Sequence, residues 1–384
     1  MSEFGEGIEI GPDFVRFNQR DDVFSRADWD PVVAGAKADA FYHGYFMSGA
    51  RIRDVEGFTA RDYAFRNASW HLADVFSDVR RAAGRHEGFT DLFTLHREGA
   101  AAPEPVTDPA ELTREIKHVA RAFGADLVGV APVDHRWTYT HTYRRVSHEA
   151  VPNPLPVDLP FVIVIGKSMD HDLTATVPSA LAGAATGLAY SRDAGTLIAL
   201  AQYLRNLGYR AEASMNDSAL AIPVALQAGL GEYGRNGLLI TPEFGPRVRI
   251  GKVFTDAPLV ADAPRRFGVE AFCRQCRRCA DGCPVKAIPT GPPSATIHDR
   301  SNLVGVTKWT VDGTRCFGFW VNQNTDCSIC IRVCPYNRDY ARWYHRLWRG
   351  LAATPLRGAL LWLESRLGRG GRRPAGWWWR RARA

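Results

Sequence analysis

All eight cysteines of this 384-residue chain lie between positions 273 and 334. The first run, CRQCRRCADGCP, spaces Cys273, Cys276, Cys279 and Cys283 as C-x2-C-x2-C-x3-C, with Pro284 behind it. The second holds Cys327, Cys330 and Cys334 before Pro335, with Cys316 eleven residues upstream of Cys327. Cysteines crowded in this way read as metal ligands, because disulfides need no such crowding and are rare in a reducing compartment. The first spacing is that of ferredoxin-type [4Fe–4S] binding, in which the fourth cysteine serves the other cluster. It predicts one cluster on Cys273, Cys276, Cys279 and Cys334, and a second on Cys327, Cys330, Cys316 and Cys283. Zinc is the rival reading of paired C-x2-C runs, and the three-in-a-row spacing with both prolines argues against it. Clusters carry electrons, and the 272 residues ahead of Cys273 suggest a local destination for them.

Those residues must position whatever the electrons reach. Asp108 is placed to cap a helix that has Pro109 at its first position, Glu111 in its first turn and Gly124 as its stop. Leu112, Ile116, Val119, Ala120 and Phe123 recur at helical spacing within it. ADLVGVAPV (125–133) and FVIVIG (161–166) read as strands, the second interior because it is continuously apolar. A helix is expected from about Ser191 to Gly208, which puts Tyr190 just ahead of its start. YRAEA, GLLIT and RVRIGKVFT are expected strands, and IPVALQAG a short helix. This alternation predicts an α/β layer over about 109–260. Residues 1–108 read as an extension wrapping the core, 266–340 as the cluster domain and 341–384 as a basic tail. GLGEYGRNG follows a helix rather than a strand, so its glycines are not a dinucleotide fingerprint. The histidines of HRWTYTHTYRRVSH read as solvated loop or pocket wall.

The net charge of +7 belongs to the tail, where Ala341–Ala384 carries eleven arginines against Glu364 alone. The remaining 340 residues carry −3, which gives no electrostatic footprint for nucleic acid. The opening MSEFGEGIEIGPDF has no apolar leader and no apolar run reaches membrane length, so the cytoplasm is the expected compartment. For the Arg- and Trp-rich tail three readings stand: a membrane-surface element, contact with an acidic electron donor, or tryptophans packed across the body.

The stretch LAYSRDAGTLIALAQYLRNLGYRAEASMNDSALAIPVALQAGLGEYGRNGLLITPEFGPRVRIGKVFTDAPL (188–259) resembles the corrinoid domain of cobalamin-dependent reductive dehalogenases. The resemblance continues through both cysteine runs and into WLESRLGRGGRRPAGWWW, and covers about 109–378. It implies an α/β (α+β) fold, a nitroreductase-like cobalamin-binding domain over 109–265 followed by a ferredoxin-like domain with two [4Fe–4S] clusters. It also implies base-off cobalamin, with no protein ligand below the cobalt, and reductive dehalogenation of a small organohalide. Electrons would come from an external low-potential donor, a ferredoxin or flavodoxin. Tyr190 matches the family's proton donor, and Lys252 or Arg249 its basic partner, which a weakly acidic phenol needs to support the phenolate left behind. Asn216 matches a polar pocket residue, while Thr241, Ile250 and Ser301 are expected at the corrin.

Epoxyqueuosine reductases share the GLG…GxNxLLI element and the cysteine arrangement more distantly, and Asp217 falls where they place a catalytic acid. Reduction of a non-halogenated substrate such as a tRNA base is therefore the alternative activity. An electron-transfer or corrinoid-handling protein without catalysis is the other. On pattern alone, Arg249 and Lys252 are charges on the open face of a strand, and Asn216-Asp217-Ser218 is a turn or helix cap.

Overall fold

The computed structural model describes residues 8–82, 99–103, 105–144, 147–368 and 370–381. The first seven residues, on which part of the leader reading falls, lie outside them. At the centre is a four-stranded sheet of β1 (Leu127–Pro132), β2 (Phe161–Ser168), β3 (Ala211–Ser214) and β4 (Val248–Thr255). Its order is β1-β2-β4-β3 and every neighbouring pair is antiparallel. β2 is interior, as its apolar run predicts. Val162, Ile163, Val164 and Ile165 are each at most 1% exposed, worth about 1.5–3 kcal/mol apiece.

The two faces of β2 bury against different layers. Ile163 and Ile165 join Ile116, Leu197 and Leu200, whereas Val162 and Val164 join Trp137, Val224 and Leu226. The helices concerned are α1 (Ala60–Ala82), α2 (Pro109–Ala122), α3 (Ala180–Asn206) and α4 (Ala221–Gln227). α2 starts as its capping pattern requires, with the Asp108 side chain accepting from the Ala110 amide at 2.8 Å.

α3 departs from expectation, beginning at Ala180 behind an N-cap at Ser179 rather than near Ser191. Its first half, ALAGAATGLA, is small and buried nearly all round, so no polar face marks a helical period. The small residues serve close packing against α1. A Cβ at Gly187 would overlap Ser69 Oγ and lie 2.6 Å from Trp70 Cδ1. Tyr190 therefore sits mid-helix, its backbone fixed by the surrounding turns.

The described residues ahead of 108 are woven into the body. Glu9–Ile10 pairs with Val306–Thr307, and Phe24 and Phe41 pack edge-on against Phe317 of the helix Gly313–Gln323. The tail's tryptophans divide. Trp348 is buried in a cluster with Phe272 and Tyr336, Trp378 stacks on Phe65, and Trp379 donates to Asp62 at 2.9 Å. Trp343 and Trp362 remain 67% and 62% exposed. No helix among the described residues is long and apolar enough to cross a membrane.

Candidate functional site

Tyr190 projects from α3 into a cavity of about 330 Å³, or about 1190 Å³ with its open mouth included. The Asn216 side-chain amide donates to the Tyr190 hydroxyl at 2.9 Å. The Arg249 guanidinium lies 5.5 Å from the centre of the Tyr190 ring. On its far side the ring stacks on Trp70, centroids 5.1 Å apart at 28°. Three separate elements thus fix one phenol: a helix, the turn after β3 and strand β4. Ile250 and Ser301 also line the cavity, and Ser301 Oγ accepts from buried Arg26 at 2.7 Å.

Lys252 lies below this group rather than at it. It is fully buried, its Nζ donates to the Met215 carbonyl, and its register neighbours are Val164 and Ser214. Burial lowers its pKa to about 8, against the opposing charges of Asp217 and Asp193. Burial likewise pushes Asp193 up to about 7, opposed first by Lys252. Of the two bases the resemblance offered, Arg249 is the one that lies over the Tyr190 ring.

Asp217 is buried and accepts from Ser214 Oγ at 2.8 Å, outside the cavity lining. Thr241 is also outside it. Its backbone bridges Gly245 and its hydroxyl accepts from the Phe244 amide at 3.0 Å, so it closes a turn. The segment that reads GEYGRNGLLI forms a tight hairpin, with Glu232–Tyr233 paired to Leu239–Ile240 and Gly237 at φ 74°. The rejection of a dinucleotide loop is consistent with that geometry.

This hairpin separates two cavities. Tyr233, Gly237, Leu238 and Leu239 face the Tyr190 cavity. Arg235, Asn236 and Ile240 face a second one, lined also by Cys273, Cys276, Cys279 and Cys334. Arg235 is buried and donates to the carbonyls of Cys273, Cys276, Pro289 and Gly291, which closes the cysteine loop around its own backbone. Asn236 Nδ2 is buried there with no hydrogen-bond partner.

The remaining cysteines gather separately. Cys283 is the first charge acting on Cys316, Cys316 acts on Cys327, and Cys327 acts on Cys330. Burial raises the Cys316, Cys327 and Cys330 thiols, Cys316 to about 11 and Cys327 to about 12. Thiols buried at such density stay protonated unless a cation compensates them. Among the described residues no three His, Cys, Asp or Glu side chains converge on a point suited to a single metal ion. The first four thiols surround a void instead.

Several lining residues escaped the sequence reading: Ile8, Phe17, Asp22, Trp137 and Lys308. Trp70 escaped it too, although Tyr63, Arg66, Trp70 and Ala73 recur at helical spacing and are all buried. Burial lowers Lys308 to about 8.

A cluster-bearing segment wired against a cavity in an α/β layer defines an iron–sulfur redox protein. Residues 272–337 match the 4Fe-4S double cluster binding domain, and residues 143–259 match the reductive dehalogenase subunit. The chain is 38% identical to the tetrachloroethene reductive dehalogenase of Desulfitobacterium hafniense strain Y51, over 78% of its own length and 66% of the relative's. It is 38% identical to the same-named protein of Sulfurospirillum multivorans, over 63% and 53%. A solved catabolic reductive dehalogenase superposes with a TM-score of 0.73 at 22% identity, covering 95% of this chain and 48% of that one. The chain belongs to the reductive dehalogenase family. It spans 66% and 53% of these two curated relatives and about half of the solved structure.

An epoxyqueuosine reductase of Synechococcus sp. is 34% identical over only 31% of this chain.

Proposed function

We propose that this protein is a cobalamin- and iron–sulfur-dependent reductive dehalogenase, whose nitroreductase-like layer offers Tyr190 as the proton donor. The observation that carries the reading is the Tyr190 hydroxyl held by Asn216 at 2.9 Å at a cavity wall, with Arg249 over its ring. The overall change consumes two electrons and one proton and exchanges a carbon–halogen bond for carbon–hydrogen, releasing halide.

The cavity's character suits a corrinoid. Its walls are largely apolar and include Trp137, Leu239, Ile250 and Leu303. The buried Arg249 Nε has no hydrogen-bond partner, as expected of a donor that awaits a ligand acceptor. A solved structure of the same fold is that of a reductive dehalogenase for which a B12-dependent mechanism of dehalogenation is suggested. When bound, cobalamin supplies a strongly reducing metal centre for carbon–halogen cleavage. Asn216 holds the phenol in one orientation, and Arg249 supports negative charge on it after the proton leaves. Trp137 lines the same space and helps exclude water from it, while Trp70 backs the phenol ring. The thiols of Cys273, Cys276, Cys279 and Cys334 would hold the cluster nearer the cavity, and Cys283, Cys316, Cys327 and Cys330 the farther one. The substrate class is a small organohalide, and the electron donor a separate low-potential protein.

Tyr190→Phe tests the role. With iron and corrinoid contents unchanged, halide release should fall about 10²–10⁴-fold, the usual worth of a positioned acid. Halide release at the wild-type rate would remove Tyr190 from the chemistry.

A further inference from the structure

A cleft of about 850 Å³ that shares no lining residue with the Tyr190 cavity lies beside the cysteine segment. Its lining carries seven arginines against three carboxylates, a net of +4. The carboxylates are already committed. Glu364 is held by Arg338 and by Arg278 at 3.5 Å, Asp172 by Arg381, and Asp339 by Arg342 at 3.3 Å. Arg332, Arg372 and Arg373 have no carboxylate partner among the described ion pairs. Arg332 Nε is buried without a hydrogen-bond partner. Holding these cations together costs free energy that an anion would recover.

The cleft floor is Arg332, Val333, Cys334 and Pro335. This stretch begins two residues after Cys330 and contains Cys334, so it joins a cysteine of one four-thiol set to a cysteine of the other. An anion bound here is therefore against both cluster positions. A patch of one sign over such a floor is what rapid docking of a redox protein requires.

We propose that this cleft is the docking surface for a small acidic one-electron carrier protein, seated on the Arg332–Pro335 floor. The inference rests on the two-cluster reading above. In each encounter one electron passes from carrier to cluster, the carrier is oxidised and no bond is made. The rim residues Arg342, Arg372 and Arg373 are exposed and steer the encounter.

The test uses iron-loaded protein, with reduced acidic ferredoxin as the probe, and follows cluster bleaching by stopped flow. At low ionic strength the Arg342→Glu, Arg372→Glu, Arg373→Glu triple variant should be reduced at least tenfold more slowly than wild type. The difference should vanish in 1 M salt, where the screening length is about 3 Å. Reduction by titanium(III) citrate should be unchanged, which keeps a folding defect apart from a docking defect. On wild type alone, a carrier reduction rate indifferent to salt would overturn the proposal without any variant. It would also be overturned if the triple variant lost binding of inorganic pyrophosphate but kept the wild-type carrier rate, since the cleft would then be a small-anion site. Absence of about eight irons from the purified protein would instead strike the cluster reading itself.

Discussion

Gly187 and Gly195 lie on one helix and offer the same substitution in opposite surroundings. A Cβ at Gly187 would meet Ser69 Oγ and Trp70 Cδ1 of α1, whereas a Cβ at Gly195 would meet nothing within 4 Å. Both changes to alanine gain helix propensity and reduce unfolded-state freedom by about 1 kcal/mol. Only Gly187→Ala must also force two packed helices apart, at about 1–3 kcal/mol. Comparing the two variants cancels the propensity gain and leaves the contact. With an unfolding entropy of about 2.1 cal/mol/K per residue over this chain, the Tm of Gly187→Ala should lie about 1–4 °C below that of Gly195→Ala. Trp70 stacks on Tyr190, so Gly187→Ala should also slow halide release at unchanged iron and corrinoid content, and Gly195→Ala should not. Equal Tm values by scanning calorimetry would refute the close approach of α1 to α3, and with it the placement of Trp70 behind Tyr190.

Two further outcomes are expected. Asp193 is buried with its pKa raised to about 7, and Lys252, Lys167, Arg249 and Asp126 act on it. A folded pKa above the unfolded one contributes stability at low pH that is lost as pH rises toward 7. Wild-type Tm should therefore fall between pH 5.5 and pH 7.5, by the equivalent of about 2 kcal/mol, and Asp193→Asn should flatten that slope; parallel curves would exclude Asp193 as its source. Asn236→Leu removes an unpartnered buried donor from the cavity of Cys273, Cys276, Cys279 and Cys334. A donor there favours the reduced, more negative cluster by about 1.5–3 kcal/mol, so one midpoint potential should drop by roughly 60–130 mV in an EPR-monitored redox titration. An unshifted potential would leave Asn236 a purely structural role.

Local patterns were legible because their physics is local. The cysteine runs reveal two clusters by spacing alone, since short gaps allow three thiols to face one void. Asp108, Pro109 and Gly124 mark a helix because capping involves only a few neighbouring residues. The interior strand shows in the unbroken run from Phe161 to Ile165, because burial on both faces leaves no polar alternation. The start of α3 was hidden by the same token. A helix made of alanine and glycine, packed on several sides, shows neither stripe nor period, so its start was expected only near Ser191, eleven residues late.

What the sequence by itself determined, then, is the kind of chemistry: thiols at cluster spacing, and a resemblance that named Tyr190, Asn216, Arg249 and Lys252. Tertiary structure alone decided how they are used. It brought Arg249 to the Tyr190 ring and placed Lys252 on the Met215 carbonyl near Asp217, because residues three apart on one strand face opposite sides of the sheet. It put Trp70, from the least readable part of the chain, behind the phenol. It also set arginines from residues 278 to 381 around one cleft. Side-chain spacing along a chain records only what neighbouring residues can do together, and these contacts join residues as far apart as Trp70 and Tyr190.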